Sequence, residues 1–211
     1  MYTCASCREK NCDIGSFEKL PLNCPSSEKE EQEKIKKIYS EGVNYQLARE
    51  AALVESEGYC QKTRLEETID FAKKCGFKKI GIAFCIGFRE EAKILYSILR
   101  EHGFEVDSVV CKNGSIPKEF LKIEENQKVN PNTYEPMCNP IGQAFFLNKS
   151  NTDFNIILGL CVGHDSLFMK HSQAPATTLV VKDRVLGHNP AAALYLSNSY
   201  YKEKLYLKRE K

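Results

Sequence analysis

The pattern of apolar and polar positions changes near residue 77. Before this point apolar residues follow helical spacing, whereas after it short apolar runs alternate with helical segments. The apolar runs are residues 79–84 (KIGIAF), 106–110, 154–160 and 177–181. Buried strands separated by helices are typical of an open, mostly parallel sheet with helices on both faces. We therefore predict an α/β fold with a sheet of about four strands.

Several helix boundaries are marked by local signals. The capping box Thr63-x-x-Glu66 begins a helix that Gly76 ends, and Asn139-Pro140 supplies an N-cap and a first-turn proline for another. Further helices are predicted over residues 27–41, after residue 44, and over 89–102, 164–171 and 190–196. The polar stretch 112–136 is predicted to be a long connection with one short helix.

The chain divides by composition into three segments. Residues 1–25 hold four of the ten cysteines and show little hydrophobic periodicity, which is typical of a knuckle held by a metal ion. We predict a metal-binding cysteine knuckle over 1–25, a helical segment over 26–76 that packs on the main domain, and an α/β domain over 77–211.

The knuckle cysteines have the spacing C-x2-C-x4-C-x11-C, formed by Cys4, Cys7, Cys12 and Cys24. A C-x2-C pair lets two thiolates reach one ion from a tight turn, and the other two cysteines complete a four-thiolate set. The spacing differs from the twin C-x2-C pairs of a zinc ribbon and is equally compatible with a 4Fe-4S cluster. The sequence therefore predicts a site for either zinc or a 4Fe-4S cluster.

A second set of cysteines follows the predicted strands. Cys85, Cys111 and Cys161 come directly after the first, second and third strands, and Cys138 precedes the Asn139-Pro140 helix start. The carboxyl ends of parallel strands share one edge, and ligands bind there where the strand order reverses. With strand order 2-1-3-4 these four cysteines would form a second metal site. Because cysteine also packs as a small buried hydrophobe, a purely structural role is the alternative.

Polar residues near this edge offer further chemistry. His164, after the Gly163 turn, could ligate a metal, transfer protons or cap a helix, and His188 follows the fourth strand. Arg89 could meet an anion but fits a solvated surface position better. A low-pKa thiolate at Cys85 or Cys161 with His164 as acid or base would make a thiol-dependent enzyme.

Composition narrows the class of protein. The 211 residues carry 30 Lys and Arg against 28 Asp and Glu, a net charge of +2 that gives no reason to expect nucleic-acid binding. No apolar stretch is long enough to span a membrane and the first residues lack a signal-peptide pattern, so we expect a cytoplasmic protein without a membrane partner. In a reducing compartment, ten cysteines indicate metal ligation or thiol chemistry rather than disulfides.

Six stretches together resemble a cysteine-rich family of unknown function. They are CASC (4–7), LNCP (22–25), FCIGFREEA (84–92), CNPIGQA (138–144), GLCVGHDS (159–166) and VKDRVLGHNP (181–190). Members of that family are described as metal-binding and occur mainly in anaerobic bacteria and archaea. The resemblance implies metal binding in an anaerobic redox setting, without naming a reaction.

We therefore predict a metal-binding protein with a Cys4 zinc or iron-sulfur site at the N-terminus and a second cysteine site at the sheet edge. Its role would lie in redox chemistry or sensing, with a redox protein as partner. A thiol-dependent enzyme and a structural zinc protein that recognises a partner are the alternatives. The sequence does not decide whether the protein is an enzyme.

Overall fold

The chain forms two compact units in a computed structural model that describes residues 1–207. The first unit is Met1–Tyr59 and the second begins at Cys60. The last four residues of the predicted 77–211 domain lie outside the described residues. The predicted three-segment division has other boundaries and stays a prediction.

The first unit consists of two short 3-10 turns followed by two helices. The turns are Cys4–Ser6 and Pro25–Ser27, and the helices are α1 (Lys29–Tyr39) and α2 (Gly42–Gly58). The Asn23 side chain donates to the Met1 carbonyl at 2.8 Å and to Thr3 Oγ1 at 2.7 Å. These two bonds hold the segment before Cys24 against the first residues of the chain.

The second unit alternates helices and strands, as the sequence pattern predicts. Its elements are α3 (Arg64–Lys74), β1 (Lys79–Phe84), α4 (Arg89–Glu101), β2 (Glu105–Val110), α5 (Pro140–Lys149), β3 (Phe154–Leu158), α6 (His164–His171), β4 (Ala176–Val180), α7 (Ala191–Tyr195) and α8 (Lys202–Leu205). The predicted α/β class is confirmed. The short helix α8 is an addition that the sequence pattern did not indicate.

The four strands form one sheet in the order β2-β1-β3-β4, and every neighbouring pair is parallel. The chain moves from β1 to β2 in one direction and from β2 to β3 in the other. Since crossovers between parallel strands are right-handed, α4 and α5 cover opposite faces of the sheet. The strand order therefore reverses between β1 and β3, where the carboxyl ends open a crevice.

Two of the helices begin at residues whose side chains cap the helix N-terminus. Thr63 accepts from the backbone N–H of Glu66 while the Glu66 carboxylate accepts from the Thr63 N–H, which completes the capping box of α3. Asn139 Oδ1 accepts from the Gly142 N–H at 2.8 Å and caps α5. Both predicted caps are confirmed, and the second fixes the residue next to Cys138.

The core lies on β1 and β3. Ile80, Ile82, Ile156 and Ile157 are each no more than 1% exposed, and Leu158 is 2% exposed. Near-continuous burial along a strand is expected when helices cover both faces of a parallel sheet. Over residues 1–207 no helix is long and apolar enough to cross a membrane.

The connection between β2 and α5 is ordered around a buried lysine. It contains three 3-10 turns: Asn113–Ser115, Lys118–Leu121 and Glu125–Gln127. Lys128 is only 7% exposed, and its ammonium group pairs with the carboxylates of Glu119 and Glu125. This ordered connection delivers residue 138 to the sheet edge.

Candidate functional site: the sheet-edge cysteine cluster

Two of the predicted site cysteines are neighbours across the sheet. β1 and β2 pair in register through Phe84 and Val110, so Cys85 and Cys111 occupy the next paired position. The Cys111 N–H donates to the Phe84 carbonyl at 2.9 Å, which continues the ladder by one residue. Paired residues on parallel strands lie about 4.8 Å apart with side chains on the same face, and the two thiols are in hydrogen-bond contact.

A third cysteine reaches the same point from the β2–α5 connection. The Asn139 N–H donates to the Cys111 carbonyl at 2.7 Å, and the Asn113 side chain donates to the Asn139 carbonyl at 3.0 Å. These bonds hold Cys138 beside Cys111, and their thiols are also in hydrogen-bond contact. We call Cys85, Cys111 and Cys138 the sheet-edge cluster.

The central thiol of the cluster touches both others. Hydrogen bonding to Cys138 and then to Cys85 raises the pKa of Cys111, because both contacts favour its protonated form and burial acts in the same direction. The contact with Cys111 lowers the pKa of Cys85 to about 5, assisted by the Gly87 N–H and by Lys182, against burial. It also lowers the pKa of Cys138 to about 4, with His164 as the second cause. The cluster thus holds one shared thiol between two thiolates.

His164 is the basic partner of Cys138. It is the first residue of α6, and its ring is hydrogen-bonded to the Cys138 sulfur, which raises the pKa of the imidazole although partial burial opposes this. A thiolate beside an imidazolium is a common form of activated cysteine. The sequence argument paired His164 with Cys85 or Cys161. The structure instead brings it to Cys138, since α5, which begins just after Cys138, packs against α6, which begins at His164.

Lys182 is the basic partner of Cys85. It follows β4 on the same edge, and its Nζ lies 3.1 Å from Cys85 Sγ and 4.8 Å from the centre of the Phe88 ring. Phe88 in turn packs on Gly159, where an added Cβ would lie 2.2 Å from the ring and where φ is +64°. Because residue 159 is a glycine, the Phe88 ring can pack against it and contact the Lys182 ammonium group.

Cys161 and His188 lie at the border of the cluster. Arg184 donates to Cys161 Sγ at 3.2 Å, so this thiol has a guanidinium neighbour of its own. The His188 ring packs against Phe88 at an interplanar angle of 59° with centroids 4.7 Å apart, and its Nδ1 accepts from the Asp183 N–H at 3.2 Å. Each of these two residues therefore contacts a neighbour outside the sheet-edge cluster: Cys161 contacts Arg184, and His188 contacts Phe88. Arg89 is exposed at the start of α4.

Gln143 fixes the strand ends beneath the cluster. Its side chain is fully buried, and Nε2 donates to the Phe84 carbonyl at 3.1 Å and to the Val109 carbonyl at 2.6 Å. These carbonyls precede Cys85 and Cys111 on neighbouring strands. The amide thereby ties together the two strand ends that carry the paired thiols.

The N-terminal cysteines are divided between two cavities of the first unit. Cys4, Cys7 and Cys24 line a cavity of about 200 Å³, and the Cys7 N–H donates to the Cys4 carbonyl at 3.1 Å in a tight turn. Cys12 lines a larger cavity together with Phe17. Three of the four predicted ligands therefore line one cavity, and Cys12 lines another.

Residues 1–207 contain no group of three or more His, Cys, Asp or Glu side chains placed to hold a metal ion. None of the ten cysteines, all of which lie within this range, forms a disulfide. Metal binding at either set of cysteines consequently stays a prediction, as does the choice between zinc and a 4Fe-4S cluster.

Sequence reasoning missed three residues of this site: Lys182, Arg184 and Gln143. The signal for the first two was present, because both follow the fourth strand just as the cysteines follow the others. Only cysteines and histidines were considered at the strand ends. Gln143 carried no signal, since it lies on a helix and its function depends on the two carbonyls below it.

Comparison with known proteins places the chain in a family. A family model described as "Protein of unknown function (DUF1847)" matches residues 24–179. The chain belongs to the DUF1847 family. The uncharacterized protein MJ0455 of Methanocaldococcus jannaschii is 49% identical to this DUF1847 protein over 202 residues, covering 96% of this chain and 97% of that protein. The resemblance to a family of unknown function is confirmed, whereas a metal-binding character is not. The matched region includes Cys24 and the whole sheet-edge cluster.

Proposed function

We propose that this DUF1847 protein is a thiol-redox protein whose reactive centre is the sheet-edge cluster. The observation that carries the proposal is the position of Cys111, which contacts two other thiols at once. A thiol that lies in register beside a thiolate on the neighbouring strand is close enough to form a disulfide with it, because a spacing of about 5 Å lies within the range of disulfide Cα atoms.

The charges around the cluster support reactivity. Lys182 lies 3.1 Å from Cys85 Sγ, and His164 is hydrogen-bonded to Cys138. Cations beside cysteines keep them as thiolates, the form that attacks disulfides. A cysteine that only packs as a small hydrophobe does not need a cation beside its sulfur, so packing alone does not explain the arrangement.

The proposal is tested by the redox equilibrium of the thiols. The purified protein is equilibrated with dithiothreitol buffers of graded potential without oxygen, and free thiols are alkylated and located by peptide mass spectrometry. We expect one two-electron transition within the cluster. Cys60→Ser, which removes an exposed cysteine outside the cluster, is the control and should leave the transition unchanged. Three reduced thiols at every potential would refute the proposal.

Metal binding by the N-terminal cysteines is the second candidate. It is supported by the cavity that Cys4, Cys7 and Cys24 share, because three thiolates suit zinc or an iron-sulfur cluster. The residues present thus fit a thiolate-bound metal in donor type, with Cys12 as the predicted fourth ligand. Iron, zinc and sulfide are measured per chain in anaerobically prepared protein and in Cys24→Ser. We expect the metal to be lost in that variant.

The same measurement separates redox chemistry from metal binding at the sheet edge. The sequence argument assigned Cys85, Cys111, Cys138 and Cys161 to one metal site. Metal that is lost in Cys111→Ser but kept in Cys24→Ser would favour that assignment and contradict the thiol-redox proposal. Metal that is unchanged in Cys111→Ser leaves the cluster to thiol chemistry.

A further inference from the structure

We infer that the sheet-edge cluster is a thiol relay in which Cys138 reacts first with an external disulfide, Cys111 resolves the adduct, and Cys85 takes over the bond to Cys111. This inference rests on the proposed thiol-redox function and adds the order in which the three cysteines react. The external substrate is a disulfide that reaches the partly exposed Cys138.

Exposure determines which thiol meets the substrate. Cys85 is 6% exposed and Cys111 is 1% exposed, whereas Cys138 is partly exposed. Cys138 also lies on the connection that enters α5, outside the sheet, while the other two follow central strands. A disulfide from solvent therefore reaches the sulfur of Cys138 before either of the others.

The contacts determine where the bond goes next. Cys85 is the register partner of Cys111, and the Asn139 N–H donates to the Cys111 carbonyl at 2.7 Å, so Cys111 lies beside both Cys85 and Cys138 and is the partner common to two disulfides. The Ile86 N–H donates to Cys111 Sγ at 3.3 Å and holds this sulfur in place between the two. A relay needs such a shared central sulfur, since each exchange step is an attack by one neighbour that releases the other.

The steps balance in atoms and electrons. The Cys138 thiolate attacks the disulfide RSSR, which forms a mixed disulfide and releases one RS⁻. The Cys111 proton passes to the neighbouring Cys85 thiolate, and the resulting Cys111 thiolate attacks the Cys138 sulfur, which forms a Cys111–Cys138 disulfide and releases the second RS⁻. This RS⁻ takes the proton from Cys85 and leaves as RSH, so Cys85 is again a thiolate. The Cys85 thiolate then attacks the Cys111 sulfur and releases the Cys138 thiolate. RSSR is reduced by two electrons, and Cys85 and Cys111 are oxidised to a disulfide.

Two features favour Cys85–Cys111 as the final pair. Cys85 and Cys111 are register partners on neighbouring strands, so their Cα spacing of about 4.8 Å lies within the range found in disulfides. The released Cys138 thiolate regains its hydrogen bond to His164. The final disulfide therefore joins the buried Cys85 and Cys111, and the partly exposed Cys138 is again a thiolate that can react.

The test follows the reduced full-length protein after one equivalent of hydroxyethyl disulfide is added without oxygen. Samples are quenched with acid and N-ethylmaleimide and mapped by mass spectrometry. In the wild type we expect a transient adduct on Cys138 and then a Cys85–Cys111 disulfide. In Cys85→Ser the product should stop at Cys111–Cys138. In Cys138→Ser oxidation should slow at least about tenfold, because the remaining two sulfurs are buried.

The central step has its own pair of variants. Both Cys111→Ser and Cys111→Ala should accumulate a stable hydroxyethyl adduct on Cys138, and far-UV circular dichroism verifies that each is folded. An adduct on Cys85 with Cys138 unmodified, or oxidation of Cys138→Ser at the wild-type rate, would overturn the relay while leaving thiol-redox chemistry in place. If none of the three cysteines is oxidised, the proposed function itself fails and the relay fails with it.

Discussion

The pH dependence of Cys138 alkylation is a direct consequence of the contacts at the sheet edge. An ordinary cysteine has a pKa near 9, and hydrogen bonding to Cys111 and His164 lowers the pKa of Cys138 to about 4. The thiolate is the reactive form. Its population at Cys138 should therefore be complete throughout the neutral range, and the alkylation rate should be almost independent of pH between 6 and 9.

The size of the effect follows from two opposing factors. At pH 6 an ordinary thiol is about 0.1% ionised and Cys138 about 99%, a gain of about 1,000-fold in reactive form. A less basic thiolate is a weaker nucleophile, and a Brønsted coefficient of about 0.4–0.5 across the interval from 9 to 4 costs about 100–300-fold. The net rate for Cys138 at pH 6 should be about 3–10 times that of N-acetylcysteine, before any reduction from partial burial.

The assay is timed iodoacetamide labelling with quantification of the Cys138 peptide, run beside N-acetylcysteine. The reference thiol should react about 500-fold faster at pH 9 than at pH 6, whereas the rate at Cys138 should stay almost constant. His164→Ala removes the second cause of the lowered pKa, so its profile should bend upward at a higher pH than that of the wild type. A tenfold rise per pH unit at Cys138 between pH 6 and 8 would refute the assignment of a thiolate there.

Three further variants test the supports of the site. Lys182→Met removes the cation 3.1 Å from Cys85 Sγ, so the pKa of Cys85 should rise and its peptide-resolved alkylation profile should move to higher pH. Gly159→Ala should lower the free energy of unfolding in urea by about 2–5 kcal/mol, because the new methyl group is placed at positive φ and overpacks against Phe88. Gly76→Ala is the control: this residue has φ +71° but open space around it, so the free energy of unfolding should fall by only about 1 kcal/mol. Gln143→Leu leaves two strand-end carbonyls without their side-chain donor and should lower the free energy of unfolding by about 1–3 kcal/mol in the same assay. A variant as stable as the wild type would contradict the role of Gln143 in holding the two strand ends together.

Much of the fold could be predicted from local sequence patterns. The strand over residues 79–84 and the capping box at Thr63 depend on neighbours within a few positions, and the structure has both where they were predicted. The strand order 2-1-3-4 was also anticipated. Periodicity and capping are short-range effects, so the order of residues alone carries them.

The site was only partly readable. The position of Cys85 and Cys111 after adjacent strands indicated a shared edge, and their contact follows from strand register. The charged neighbour of each cysteine comes from a distant segment of the chain. Lys182, for example, is 97 residues from Cys85. No periodic pattern encodes such a distance, because it depends on where two connections end.

The sequence by itself determined the α/β class, the strand-end placement of three cysteines and the cap beside Cys138, since hydrophobic periodicity and helix capping are local. Only the tertiary structure decided that Cys138 joins Cys85 and Cys111 while Cys161 turns to Arg184. The physical reason is that the contact between two sulfur atoms requires placement to within about 1 Å. That placement comes from the register of β1 and β2, the backbone bond from Asn139 to Cys111 and the packing of the long connection, which exist only in the folded chain.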